Sequence, residues 1–286
     1  MAEAQPAGDG PAPGWNGRSG NAWVDKQAVL DGMLQPLEDL LVEAVAPQDG
    51  DRVLDVGCGT GATTLALARR VGAQGRCVGV DISEAVIAAA RVRAGREGLP
   101  VGFVHADAEE YAFEPASFDA VASRFGVMFF GDPVRAFANL RRAAHDGGRL
   151  CFVSWRGIEE NPFMSTAQRA AAPLLPDLPA HRPSGPGQFG LADPDLIRRV
   201  LAGSGWSGAG LRPVDVECTL PEAELVGYFT RLGALGLALP GVDERTRARV
   251  VETVRAAFEP FVDGAQVRFT AACWLVSARA GEPRRR

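Results

Sequence analysis

The chain has 286 residues, 47% apolar and 23% charged, with a net charge of −5 and a pI near 5.4. That size buries enough surface to need no covalent staples. The acidic balance argues against a nucleic-acid partner, and no apolar run reaches the ~18 residues of a membrane span.

Residues 1–20, rich in Gly, Pro and Ala, read as a disordered lead-in without a secretory leader. Residues 21–50 read as an N-terminal helical cap: Leu30, Met33, Leu34, Leu37, Leu40 and Leu41 recur at spacings of three and four, Pro36 opens a second helix and Pro47 ends it. Residues 51–155 then alternate. Short β-rich runs at 52–56, 76–81, 101–106, 118–123 and 149–155 flank helical stretches. The first helix spans 61–71, the second is capped by Ser83, and the third runs from Asp132-Pro133 to Gly147-Gly148. Residues 156–192 break this rhythm with many prolines around one short helix near 164–172, as a lid or substrate loop does. Residues 193–220 supply a helix from Asp193-Pro194 and a sixth strand at 212–220. Residues 221–264 form a helical substrate insertion, and 265–286 a final strand at 267–278 with a tail ending Arg284, Arg285, Arg286. Strands separated by helices of this length predict an α/β fold, a parallel sheet with helices on both faces.

The cysteines (58, 77, 151, 218, 273) are dispersed, and His105, His145 and His181 fit no ligand spacing. Free core thiols, no metal and a reducing, cytoplasmic location follow as expectations. Lys26 is the only lysine, which leaves Schiff-base chemistry almost without a candidate.

The decisive segment is Val53-Leu54-Asp55-Val56-Gly57-Cys58-Gly59-Thr60-Gly61, an apolar strand entering a glycine turn that opens a helix. Glycines there allow positive φ and close ligand approach, and the helix N-terminus offers free N–H groups to an anion. Asp81 ends the second strand, 20 residues past Gly61, where a carboxylate accepts ribose hydroxyls. Asp107, in Ala106-Asp107-Ala108, follows the third. A dinucleotide and a sulfonium nucleoside compete for this pattern. Asp55, two residues before Gly57, would repel a diphosphate and favour the cationic sulfonium and amino group of S-adenosylmethionine (SAM).

With VLDVGCGTG (53–61), GVDIS (79–83), ADA (106–108), FDAVASRFGVMFF (118–130) and GGRLCFVSW (147–155), the chain resembles the class I SAM-dependent methyltransferases, closest to the quinone-biosynthesis and natural-product group. The resemblance implies a three-layer, Rossmann-like, seven-stranded fold with N-terminal helices and helical lid insertions. It implies SAM as cofactor and S-adenosylhomocysteine as product. Gly57, Gly59 and Gly61 would line the methionine part, with Asp55 orienting the loop or the amino group and Thr64 near the carboxylate. Asp81 would hold the ribose and Ile82 the adenine face. Asp107 and Ala108 would meet the adenine edge, and Ser123 or Arg124 would sit beside the sulfonium. The segment from Trp23 to Gln27 would close over the cofactor.

Methyl transfer to a small-molecule acceptor (quinone-like, aromatic or a natural-product intermediate) is the expected activity, by in-line displacement in which positioning supplies much of the rate. Phe130, Trp155, Asn161 and Phe163 are the candidate acceptor-binding residues. No residue is singled out as catalytic; His105, His181, Tyr111 and Tyr228 are formal bases only. An NAD(P)-dependent oxidoreductase and a SAM-binding regulator without turnover are the rivals. The first would need a hydride-site acid, and no Tyr-x-x-x-Lys pair exists.

Overall fold

The computed structural model describes residues 15–179 and 185–281. Strand β1 (Arg52–Val56) lies mid-sheet, parallel to β2 (Arg76–Asp81) on one side and β4 (Phe118–Arg124) on the other. Outside them run β3 (Val101–His105) and β5 (Ala144–Trp155), also parallel. The crossovers carry α3 (Ala62–Val71), α4 (Glu84–Glu97) and α5 (Pro133–Ala143). β8 (Gln266–Ala280) pairs antiparallel with β5, and β6 (Trp206–Pro221) with β8, giving the order β3-β2-β1-β4-β5-β8-β6. These are the seven strands expected. An eighth, the two-residue β7 (Val262–Asp263), turns back onto β8.

Both faces of the sheet are covered, which is why β1 is buried at every residue after Arg52 rather than in alternation. Neighbouring β5 residues show the two layers. The Cys151 thiol reaches Ala44 O, 3.4 Å away in α2 (Gln27–Val45), whereas Phe152 packs 5.5 Å from Phe137 of α5. Helix α7 (Pro194–Gly203) lies beside α5. All five cysteines are free and buried. The N-caps Asp132 and Asp193 accept from Arg135 N and Asp195 N, as expected.

Several boundaries differ from the sequence reading. Helix α1 (Arg18–Asp25) already begins inside the 1–20 lead-in, anchored to α4 where Glu84 N donates to Asn16 Oδ1; residues 1–14 lie outside the described residues. The helical break falls at Lys26, and Pro36 sits inside α2. An interior proline costs about 3 kcal/mol, but α2 buries Leu30, Met33, Leu34, Leu37 and Leu41 along one side, which outweighs it. So α2 is a layer of the core, and only α1 is a cap. Gly147-Gly148 does not close α5, because β5 starts at Ala144 and runs through both glycines. Ser83 occupies the N-cap position of α4 without a capping hydrogen bond: its N–H donates to Asp81 Oδ1, and its buried hydroxyl has no partner. β6 begins at Trp206 rather than 212, because β8 pairs with its Gly-rich start across a bulge between Ser207 and Gly210.

The stretches flanking β6 meet above the sheet edge. In the 156–192 segment, α6 (Pro162–Ala171) is the expected short helix. The insertion folds as α8 (Leu225–Arg231), α9 (Gly233–Ala238) and α10 (Glu244–Ala257). Phe163 joins them, stacked on Phe269 at 3.9 Å and edge-on to Phe258 at 5.1 Å. His181 and the three terminal arginines lie outside the described residues. Among the described residues no helix is long and apolar enough to cross a membrane.

Candidate cofactor and acceptor site

The site starts where β1 ends. Gly57 N and Cys58 N donate to Val80 O, and Gly61 N to Cys58 O, folding the chain tightly into α3. Gly57, Gly59 and Gly61 all adopt positive φ. Asp55 is 1% exposed, and Thr64 Oγ1 donates to its Oδ2 at 2.6 Å. Its Oδ1 has no partner. Burial lifts its pKa to about 7, against the pull of the Thr64 hydrogen bond and the Arg124 guanidinium. Asp55 borders a recess of about 40 Å³ with Gly57, Gly59, Thr63 and Arg124, and Trp23 of α1 closes it. A buried carboxylate oxygen facing a glycine cradle beside a helix N-terminus fits an ammonium and carboxylate pair, the amino-acid end of SAM.

The recess adjoins a cavity of about 740 Å³, near the top of the ~300–1,000 Å³ range of ligand pockets. Asp81, Ile82, Asp107 and Ala108 line it along the ends of β2 and β3. Asp81 receives Gly59 N on Oδ2 and Ser83 N on Oδ1, each at 2.9 Å, which fixes the carboxylate and leaves each oxygen a free lone pair for a hydroxyl. Burial raises its pKa, and those backbone N–H groups oppose the rise. Asp107 is exposed and accepts from Glu109 N. Arg124 donates to Leu34 O at 3.1 Å and lies on both the recess and the cavity.

Three residues of the expected cofactor set have other work. The Ser123 hydroxyl donates to Val56 O and accepts from Gly126 N and Val127 N, so it is saturated within the turn after β4. The Thr64 hydroxyl donates to Asp55. Gly61 lies under α4, where a Cβ would come 3.0 Å from Phe103 and 3.2 Å from Ala90. Among the acceptor candidates, Phe130, Trp155 and Phe163 line the cavity. Asn161 does not: its amide exchanges hydrogen bonds with Ala272 N and O, extending the β5–β8 pairing past Trp155. His105 bonds Ile82 O, and His145 bonds Asp119 at the opposite end of β4; neither lines the cavity.

Sequence reasoning missed Gly126, packed back to back with Gly57, and Phe125, held at φ 67° and stacked on Trp155 at 4.5 Å. It also missed Asn139, whose amide holds Ala108 O and Tyr111 O and so fixes the turn carrying Asp107. A non-glycine residue at positive φ leaves no mark in the sequence, whereas the Phe125-Gly126 dipeptide after a strand was a usable turn signal.

A family described as a methyltransferase domain matches residues 53–148. Nocamycin O-methyltransferase of Saccharothrix syringae is 35% identical over 235 residues, covering 77% of this chain and 82% of that protein. Aklanonic acid methyltransferase of Streptomyces sp. (strain C5) is 39% identical over 120 residues, 42% of this chain and 54% of that protein. Three mycobacterial relatives are likewise spanned over only 63% of their length. A putative methyltransferase of Bacillus halodurans shares the fold (TM-score 0.55, 19% identity, 85% of this chain and 98% of that one). So does a 4+2 cyclase (TM-score 0.54, 20% identity, 92% and 94%), which shows that the fold alone does not decide the reaction. The glycine turn, the acidic strand ends and the extended match to an O-methyltransferase together place this chain in the SAM-dependent methyltransferase family.

Proposed function

We propose that the protein transfers the methyl group of SAM to a small aromatic or quinone-like natural-product acceptor held in the 740 Å³ cavity. The observation that carries this reading is the unpartnered, buried Oδ1 of Asp55, a residue on the lining of the glycine recess, which is continuous with a largely apolar chamber. The similarity to an aklanonic acid methyltransferase, a nocamycin O-methyltransferase and a ubiquinone/menaquinone biosynthesis C-methyltransferase supports the acceptor class. The buried free thiols support a reducing, cytoplasmic setting.

When bound, SAM supplies a methyl group activated by a sulfonium. The chain supplies place and dryness. Asp55 receives the amino group, Asp81 the ribose hydroxyls, and Asp107 with Ala108 the adenine edge. Trp155 and Phe125 give the acceptor a flat apolar wall. Holding the acceptor in line with the methyl supplies the rate, and a mostly apolar wall strips water from the reacting oxygen or carbon.

The activity is tested by incubating purified protein and SAM with hydroxyquinone acceptors and detecting S-adenosylhomocysteine. Asp81→Ala provides the site control. It removes a charged acceptor of two hydroxyls, and SAM affinity is expected to fall by about 1.5–3 kcal/mol in calorimetry. An unchanged affinity in a folded variant would refute the ribose assignment.

Residues 156–192 and α1 are proposed to act together as a lid. Trp15 packs edge-on against Phe129 at 5.4 Å, Trp23 lies over Gly59, and Gly187 N donates to Met128 O, so three segments converge on one mouth. Two ion pairs, Lys26–Glu224 at 2.8 Å and Asp25–Arg231 at 3.2 Å, clasp the α1–α2 joint to α8. Lids come from the less stable parts of a fold. Limited proteolysis without ligand is expected to cut first within 1–22 and 176–192, and SAM plus acceptor to slow the second cut. Cleavage there at the same rate with both ligands bound would make the segment a packing element.

A further inference from the structure

We propose that the Tyr228 hydroxyl anchors the acceptor, donating a hydrogen bond to a ring carbonyl or enolate oxygen of a fused-ring molecule in the cavity walled by Phe125, Trp155, Phe163 and Met164. This deepens the acceptor reading above and rests on it. Tyr228 lies in α8 and lines the cavity, its ring 5.7 Å from that of Phe163. Its side chain is half-buried on the cavity wall, and the partner its hydroxyl has within the molecule is the Met164 thioether, 3.7 Å away. A thioether is a weak acceptor, so the hydroxyl keeps its donor capacity for an oxygen that enters the cavity. The polar neighbours on the same two helices are already engaged. Gln168, one turn beyond Met164, donates its amide to Pro179 O, and Arg231, three residues beyond Tyr228, is paired with Asp25. The surrounding wall is aromatic and aliphatic, so an oxygen entering it finds in Tyr228 a donor that has nothing better to bind.

The direction of the hydrogen bond follows from the surroundings. Burial pushes the phenol pKa far above its ordinary value, with no opposing cation. The group therefore stays neutral, donates, and does not serve as the base that its residue type alone allowed. Once a fused-ring ligand covers it, a donor among apolar walls selects by rejection. A ligand of the same shape without the oxygen leaves the hydroxyl unpaired, whereas one carrying it fills the bond.

The test uses two probes of matched shape, 9,10-anthraquinone-2-carboxylate and anthracene-2-carboxylate, which differ in the ring carbonyls. Their dissociation constants are measured by tryptophan quenching on wild type and Tyr228→Phe, each with and without saturating S-adenosylhomocysteine. Wild type is expected to prefer the quinone by about tenfold, and Tyr228→Phe to bring the two probes within about twofold, with anthracene binding unchanged. That unchanged binding reports an intact cavity. Met164→Leu, which removes the thioether and keeps the phenol, is expected to retain or widen the preference. A preference that survives in Tyr228→Phe would overturn the proposal, and so would wild type that does not discriminate, including wild type that binds neither probe. Calorimetry with S-adenosylhomocysteine alone keeps the two readings apart. Failure there sinks the cofactor assignment, whereas a normal cofactor affinity with no Tyr228 effect sinks only the anchor.

Discussion

Asp55→Asn is expected to raise the stability of the ligand-free protein at pH 8 and to weaken SAM binding about 10- to 100-fold. The two effects share one cause. Asp55 is buried, one of its oxygens has no partner, and its pKa stands at about 7 against an ordinary 3.8. A carboxyl with a raised pKa holds its proton longer in the folded state than in the unfolded one. Its contribution to stability is whole below pH 3.8, declines as pH rises toward 7, and is fully lost above it. At pH 8 the ligand-free fold therefore carries a bare buried charge, which the amide removes while still accepting from Thr64. A gain of about 2 kcal/mol, roughly 4 °C in Tm, is the expected size. The gain should shrink at pH 5, where nearly all of the folded wild type carries the proton on Asp55. SAM affinity behaves oppositely: in wild type it should climb with pH through 7 as the carboxylate forms, and in Asp55→Asn that component should vanish. Scanning calorimetry at pH 5 and 8 with SAM titrations at both values reads all four quantities. An Asn variant that binds SAM within threefold of wild type would mean that the orphaned oxygen has no cationic partner in the complex.

Strand ends were readable because position and chemistry coincide in the sequence. Asp55, Asp81 and Asp107 are short carboxylates at the close of apolar runs, and the parallel sheet brings those closes to one edge. Side-chain occupation was not readable. Thr64, Ser123 and Asn161 are polar residues near the motif, and sequence alone offers no way to tell a ligand partner from a structural one. Their hydrogen bonds go to Asp55, nine residues away, to Val56, 67 residues away, and to Ala272, 111 residues away. Pro36 misled for a related reason: propensity placed a helix boundary there, and the buried leucines of α2, which act through tertiary packing, carried the helix through it. The acceptor chamber was legible as a place but not as a set of contacts. Its walls come from segments far apart in the chain, from Trp15 to Phe258, which only the tertiary fold brings together.

Gly126→Ala should be among the most damaging single-methyl changes in the chain. The turn after β4 crosses the glycine loop so closely that a Cβ on Gly126 would come 2.4 Å from Val56 O and 2.6 Å from Gly57 Cα. A Cβ on Gly57 would in turn come 2.5 Å from Gly126 Cα, at a φ of +66° that L-residues rarely adopt. Both obstacles are backbone, so neither can rotate aside as a side chain would. Ser123 clamps the crossing, donating to Val56 O and accepting from Gly126 N and Val127 N. The added methyl must therefore push the glycine loop away from the turn, opening the recess that Asp55 and Arg124 share. A loss of about 1–3 kcal/mol of stability is expected from overpacking of this kind. SAM binding should weaken at least ~10-fold, because the loop amides move with the backbone. Gly95→Ala is the matched control. Gly95 lies within α4 with nothing inside 4 Å of a Cβ, so the same methyl should stabilise by about 0.4–1 kcal/mol and leave SAM affinity alone. Urea unfolding and calorimetry on both variants separate the effects. If Gly126→Ala behaved like Gly95→Ala, the close approach of the two turns would not be what shapes the cofactor recess.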